Sequence, residues 1–126
     1  IIEGNAREDQ ISSGILIATG VGASGWIHSI AHMMEVCTGS KGKLENLPGQ
    51  TTRELVYVVR EPFVQAETKA DIVIGRIFGS KKIVIESQMP TGGVVVSDGD
   101  VANFSVFPAG EKVHIGLSSI TINLVV

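Results

Sequence analysis

Seven short runs rich in β-branched residues follow Glu54, and they constrain the fold most. They are LVYVV (55–59), DIVIGRIF (71–78), KIVIES (82–87), GVVVS (93–97), ANFSVF (102–107), KVHIGL (112–117) and ITINLVV (120–126). Their length and composition are typical of strands, and turn-forming residues separate them. Turns are predicted at Phe78–Lys82, Asp98-Gly99 and Pro108–Glu111, and Asp-Gly favours a two-residue hairpin. We therefore predict a mainly β fold in which antiparallel hairpins stack as in a β-sandwich.

The part of the chain before Glu54 predicts one strand and the main α-helix. The strand covers Gly14–Thr19. From Ser24 to about Val36 apolar residues recur at helical spacing, namely Ile27, Ile30, Met34 and Cys37, with Trp26 and Met33 beside them. Cys37 is then expected to be a buried, unreactive thiol. Residues 38–53, which include Pro48, predict a long exposed loop.

Composition narrows the classes of function. A chain of 126 residues with 44% hydrophobic residues fits a single domain with a real core. The net charge is −3, and no basic run is present that would follow a nucleic-acid backbone. No apolar run approaches the roughly 20 residues that span a bilayer. We expect a soluble, cytoplasmic protein with neither nucleic-acid nor membrane partners, and the start at Ile1 suggests that further residues precede it.

A glycine-dense segment, residues 20–25 with the sequence GVGASG, joins the first strand to the helix. A strand that turns sharply into a helix directs free backbone N–H groups at one point, a geometry that binds phosphate or ribose. Gly20, Gly22 and Gly25 would let a ligand approach the backbone, and Ser24 could cap the helix or contact the ligand. A glycine-rich turn without any ligand is the alternative.

Two familiar nucleotide-binding motifs do not fit this segment. It matches G-x-G-x-x-G, but a dinucleotide-binding unit requires a second parallel strand that ends in an acid about 20 residues further on. Here a Lys/Gly-rich loop surrounds Glu45, and antiparallel hairpins follow. A P-loop is also excluded, because Trp26 occupies the position of the required lysine.

Histidines offer a weak metal-site hypothesis. His28 and His32 are four residues apart and share a helix face. No third ligand is evident, since Ser29 replaces the glutamate of H-E-x-x-H and His114 lies in a distant strand. Polar histidines without a metal are the favoured interpretation.

Two other polar groups have plain structural explanations. Asp98 and Asp100 flank Gly99, where hairpin geometry accounts for them better than a cation does. Arg60-Glu61-Pro62 is interpreted as the end of a strand, which the proline terminates, although an exposed arginine there could bind a phosphate. No motif for nucleophilic or metal-dependent catalysis is recognisable.

Residues 13–26, SGILIATGVGASGW, resemble the segment of the ATP-NAD kinases that commonly reads TPTGSTAY after a DG-apolar strand. Trp in place of Tyr, and VVREPF at 58–63, are similar to the mitochondrial-type and related bacterial branch. VVVSDGD at 94–100 resembles the closing hairpins of the family. The resemblance covers nearly the whole chain, and it implies the carboxyl-terminal domain of a two-domain NAD kinase-like fold.

The resemblance also implies a reaction, namely 2′-phosphorylation of NAD to NADP with ATP and Mg²⁺, in a homo-oligomer of two or four subunits. The residues that it assigns to nucleotide binding are Ser13, Thr19, Gly20, Gly22, Ala23, Ser24, Gly25, Trp26 and Ser29. Trp26 would form a stacking wall for a base or ribose. The acid that usually precedes the strand glycine is Ser13 here, which departs from the family pattern.

The GGDG motif of the family, whose aspartate is the candidate base, belongs to an amino-terminal α/β domain that is absent from this sequence. We therefore expect no catalytic residue, no metal ligand and no bound cofactor in this chain alone, because phosphoryl transfer needs positioned phosphates, metal and base together. Three alternatives stay open: a related lipid or sugar kinase domain, a nonenzymatic β-sandwich that only assembles subunits, and a fragment of a Rossmann oxidoreductase, which would contain a parallel sheet instead of hairpins.

Overall fold

A computed structural model describes residues 1–65, 69–97, 100 and 102–123. The strands are β1 (Ile2–Glu3), β2 (Ala6–Arg7), β3 (Gly14–Thr19), β4 (Glu54–Arg60), β5 (Ile74–Phe78), β6 (Lys82–Glu86), β7 (Val94–Val96), β8 (Phe104–Val106) and β9 (Lys112–Gly116). Helix α1 spans Trp26–Thr38, and short 3₁₀ turns span Gly22–Ser24 and Gly42–Leu44. The predicted mainly β fold with one main helix is confirmed.

The strands form three sheets in the described ranges, with the orders β2-β1-β6-β9, β3-β4-β5 and β7-β8. Every strand pair in them is antiparallel. This topology lacks the parallel pairing of a Rossmann unit, as the sequence predicted.

The sheet β3-β4-β5 lies at the centre of the packing. Ile27 and Ala31 of α1 form one buried cluster with Val56 and Val58 of β4. Successive side chains of a strand point to opposite faces, so Tyr57 joins a second cluster that includes Ile83 of β6. A strand buried on both faces reads as a continuous apolar run, which explains LVYVV. The result is three layers: helix, central sheet and four-stranded sheet.

Residues 38–53 differ from the predicted exposed loop. The helix ends at Gly39, whose left-handed φ of 76° lets its N–H reach the carbonyl of Glu35 at 2.8 Å. The side chain of Leu44 is fully buried in the helix-facing cluster, and Pro48 is also buried. The loop is therefore anchored to the core by apolar side chains.

Two further expectations need correction. Cys37 is exposed, because the buried positions Ile27 and Ala31 lie in the first half of α1 while Cys37 lies in its last turn. Residues 120–123 of the predicted last strand are not in a strand, and residues 124–126 lie outside the described part of the chain.

The pair β7-β8 forms a ribbon of its own. The predicted turn Asp98-Gly99 lies outside the described residues, but Val96 pairs with Phe104, so residues 97–103 connect the strands. That connection is longer than the predicted two-residue turn. All six residues of the ribbon are exposed. Separately, within the described ranges no helix is both long and apolar enough to cross a membrane.

Candidate functional site

A cleft of about 580 Å³ lies between α1 and the carboxyl-terminal end of β4. Its apolar walls are formed by Ile30, Met33 and Met34 of α1, by Val58 and Ile74 of the central sheet, and by Val73 just before β5. Trp26, Ser29, Arg60 and Glu61 also line it. Volumes of this size are typical of sites for small molecules, and so is an apolar lining with few polar groups.

Trp26 and Arg60 form a stacked pair at this cleft. The guanidinium carbon of Arg60 lies 4.4 Å from the centroid of the Trp26 ring, within the range of a cation–π interaction. Trp26 is nevertheless 56% exposed. Arg60 is placed by its β-pairing with Gly14, and Trp26 by its position as the first residue of α1. The cleft thus combines an exposed aromatic surface with a positive charge.

Glu61 and Ser13 form a polar pair beside Arg60. The hydroxyl of Ser13 donates a hydrogen bond to Oε2 of Glu61. The backbone N–H of Ser13 also donates to the carbonyl of Arg60 at 3.0 Å. Ser13 is therefore tied to the end of β4 through both its backbone and its side chain.

Three of the six backbone N–H groups in the glycine-dense segment 20–25 donate hydrogen bonds within the segment or to the adjacent Thr19. Gly22 N–H donates to Thr19 Oγ1 at 3.3 Å, Ser24 N–H to the Val21 carbonyl at 3.3 Å, and Gly25 N–H to the Gly22 carbonyl at 3.2 Å. The expectation that these N–H groups would be free was wrong, because the segment closes into a 3₁₀ turn.

Ser24 does not cap the helix, which was one of the two roles considered for it. Its hydroxyl donates to the Val21 carbonyl at 2.8 Å. The N-cap position of α1 is Gly25, with no side-chain capping bond. Ser29, one turn into the helix, directs its hydroxyl toward the Gly25 carbonyl at 3.5 Å.

Packing accounts for two residues of this segment. Gly20 is buried against the backbone of Gly49, and an added Cβ would collide with the Gly49 carbonyl. Ala23 is 1% exposed and belongs to the helix-facing cluster. Gly22 and Gly25, by contrast, are exposed, and added Cβ atoms there would make contacts no closer than 3.4 Å. Packing therefore does not require glycine at either position.

The nine residues assigned from the resemblance fall into two groups. Trp26 and Ser29 line the cleft, and Ser13 bonds to Glu61 at its edge. The others, Thr19, Gly20, Gly22, Ala23, Ser24 and Gly25, do not line it. Ser13 and the glycine-dense segment flank opposite ends of β3, about 23 Å apart along an extended strand. Sequence reasoning gave Glu61 no role; the proline that follows it was the one available signal.

The histidine pair on α1 gives no metal centre. His28 and His32 are both exposed, and Nδ1 of His32 lies 3.9 Å from Oε2 of Glu35. Within the described ranges, no group of three or more His, Cys, Asp or Glu side chains is arranged to hold a metal ion.

No family model matches this sequence, and no curated protein or solved structure is significantly similar to it.

Proposed function

We propose that this chain is the acceptor-binding domain of an ATP-dependent NAD kinase and that NAD binds in the cleft beside α1. The observation that carries the proposal is the exposed ring of Trp26 with Arg60 stacked on it. An aromatic surface next to a guanidinium suits a ligand that combines planar rings with phosphates.

The apolar walls support a ring-containing ligand. A nicotinamide or adenine ring placed against Met33 and Ile30 would lose contact with water on most of its surface. Burial of apolar area stabilises such a complex by about 25 cal/mol per Å². A sugar has no comparable apolar face, so the apolar walls of the cleft favour a nucleotide acceptor over a sugar acceptor.

Arg60 supplies the charge that a pyrophosphate needs. The chain as a whole is acidic, with a net charge of −3, so a local cation matters for an anionic ligand. Guanidinium groups bind phosphate oxygens through paired hydrogen bonds. No ion pair joins Arg60 to a carboxylate within the described residues, so its charge is not neutralised there.

The glycine-dense segment has a place in the same proposal. The dinucleotide extends from the cleft along the start of α1 toward Gly22 and Gly25, whose exposed backbone leaves room for it. Gly20 and Ala23 then act indirectly, since they hold the turn against the core and so fix where α1 begins.

The chemistry of transfer requires more than this chain. ATP, Mg²⁺ and the base that activates the 2′-hydroxyl are assigned to the GGDG domain that the resemblance implies, and the enzyme would work in the cytoplasm.

The test is release of ADP by the full-length protein with ATP and Mg²⁺, with NAD, a diacylglycerol or a sugar as acceptor. NAD-dependent release of ADP with formation of NADP supports the proposal; release only with the lipid or the sugar contradicts it.

Homo-oligomerisation is the second part of the proposal, and the β7-β8 ribbon supports it. Val94, Val96, Phe104 and Val106 are between 46% and 66% exposed, and an isolated two-stranded ribbon is only marginally stable in water. A second copy of this chain would cover them. Phe104→Glu should lower the mass measured by sedimentation, whereas Ser105→Glu, one residue along the same strand, is the matched control.

A purely structural assembly module makes a different prediction. Such a protein would form oligomers but would bind no NAD, and Ser24→Leu at the glycine-dense segment would leave its behaviour unchanged. Assembly without NAD binding would therefore replace the kinase proposal.

A further inference from the structure

Glu61 has a left-handed backbone conformation, which residues with a side chain rarely adopt. Among the described residues it is the one non-glycine residue with a positive φ, 46°. The residue that follows is Pro62, which lacks an N–H and cannot adjust its own φ. A non-glycine residue in this region is strained, and such residues cluster at ligand sites.

The strained backbone holds a carboxylate at the cleft. Glu61 lines the cleft directly, and its Oε2 accepts the hydrogen bond from Ser13. Within the described residues, Oε1 has no hydrogen-bond partner and no cation pairs with the carboxylate. Arg60, the nearest cation in sequence, lies over Trp26 instead.

An ionised carboxylate accepts hydrogen bonds and donates none. An acceptor fixed beside an aromatic surface is suited to a ring that carries an N–H donor at its edge. It disfavours a ring that presents an anion or a bare oxygen at the same place, because two acceptors then face each other.

We infer that Glu61 is a specificity-determining residue that accepts a hydrogen bond from an amino group on the ring bound against Trp26, and that Ser13 positions its carboxylate. This inference rests on the proposed NAD site. In NAD two groups have this chemistry, the carboxamide of nicotinamide and the amino group of adenine.

Two analogues distinguish these groups. Nicotinic acid adenine dinucleotide carries a carboxylate in place of the carboxamide, and nicotinamide hypoxanthine dinucleotide carries oxygen in place of the adenine amino group. Binding of each to the full-length protein is measured by calorimetry. We expect the protein to prefer NAD to one of the two analogues by about tenfold, the loss typical of one charge-assisted hydrogen bond.

Three variants locate the cause of that preference. Glu61→Gln and Glu61→Gly should abolish it, and Ser13→Ala should reduce it. Glu61→Gly should also unfold at a higher denaturant concentration than the wild type, because glycine adopts a positive φ at little cost, so a loss of preference there is not a loss of folding. Glu111→Gln, an exposed carboxylate outside the cleft, should keep the preference.

Each result is decisive. A protein that binds NAD and both analogues equally overturns the role of Glu61 and leaves the NAD site standing. If Glu61→Gln keeps the preference for NAD, that result likewise overturns the role of Glu61 and leaves the NAD site standing. A wild-type protein that binds none of the three dinucleotides overturns the proposed function together with this inference.

Discussion

Gly20 lies against the backbone of Gly49, so closely that a Cβ atom at residue 20 would overlap the Gly49 carbonyl oxygen. This contact joins the turn before α1 to the loop after it. We expect Gly20→Ala to destabilise the protein by about 1–3 kcal/mol, because backbone atoms would have to move apart. Denaturant unfolding followed by circular dichroism measures the change.

Gly22→Ala is the matched control, with a different expected result. Its Cβ would lie 3.4 Å from that of Ala18, an ordinary contact, so stability should stay within about 0.5 kcal/mol of the wild type. The added methyl group would instead narrow the approach that we propose for NAD. Normal stability with weaker NAD binding is the expected result; equal binding would remove Gly22 from the site.

Glu8 predicts how stability depends on pH. Its carboxylate is buried, which by itself raises its pKa. The side chain of Gln10 donates a hydrogen bond to this carboxylate, and the backbone N–H groups of Asp71 and Ile72 both donate to it at 3.0–3.3 Å. These hydrogen bonds outweigh the effect of burial and hold the pKa of Glu8 below its usual value. The folded state therefore favours the ionised form.

The sign of the effect follows from that direction. The stabilisation is complete above the ordinary glutamate pKa of about 4.3, and it is lost as the pH falls through the lower pKa of the folded state. Glu8→Gln should cost about 1–3 kcal/mol at neutral pH and should flatten this acid dependence. Urea unfolding at several pH values tests it, with the exposed Glu45→Gln as control. If the stability of Glu8→Gln falls with acid as that of the wild type does, this pH dependence does not come from Glu8.

Tyr57 and Gly75 face each other across β4 and β5, and the tyrosine ring fills the space above the glycine. A Cβ at residue 75 would lie 2.5 Å from the Tyr57 hydroxyl oxygen. Gly75→Ala should therefore cost about 1–3 kcal/mol of stability. The ring atoms Cε1 and Cζ of Tyr57 would lie 2.6 Å from that Cβ as well. Because Tyr57→Ala removes all of these atoms, the double variant should lose less than the sum of the two single changes. Strict additivity would show that the ring does not occupy this space.

The sequence predicted elements best where a local pattern was strong. The continuous apolar runs of β3 and β4 and the helical spacing of Ile27, Ile30 and Met34 correspond to elements that pack in the core. Leu44 was missed because its burial depends on a loop folding back over the sheet, which no periodic pattern records. Cys37 was assigned to the core because periodicity does not show where the packing surface under a helix ends.

The candidate site shows the same limit. Trp26 and Ser29 could be selected from the sequence, since they lie near the glycine-dense segment. Their proximity to Arg60 and Glu61 depends on the antiparallel register that pairs Gly14 with Arg60. That register pairs β3 with β4, which are far apart along the chain. The side-chain contacts where Gly14 meets Arg60 therefore cannot be predicted from the sequence of either strand alone.

Arg60 gives a prediction about ligand charge. Arg60→Met should weaken NAD binding about tenfold, because a pyrophosphate loses a charged hydrogen-bond donor. The affinity of the variant should also depend less on salt than that of the wild type. Calorimetric titration at two salt concentrations measures both, and Lys43→Met, which removes an exposed charge away from the cleft, is the control. Equal losses in the two variants would mean that net charge, and not the cleft, attracts the ligand.

Titration of the full-length protein with NAD, followed through the fluorescence of Trp26, tests the cleft most directly. Trp26 is the one tryptophan of this chain, and variants of it identify its signal if other parts of the protein contain more. We expect a saturable change that Arg60→Met weakens and Lys43→Met does not. A folded protein whose Trp26 fluorescence does not change at millimolar NAD would contradict the proposed site.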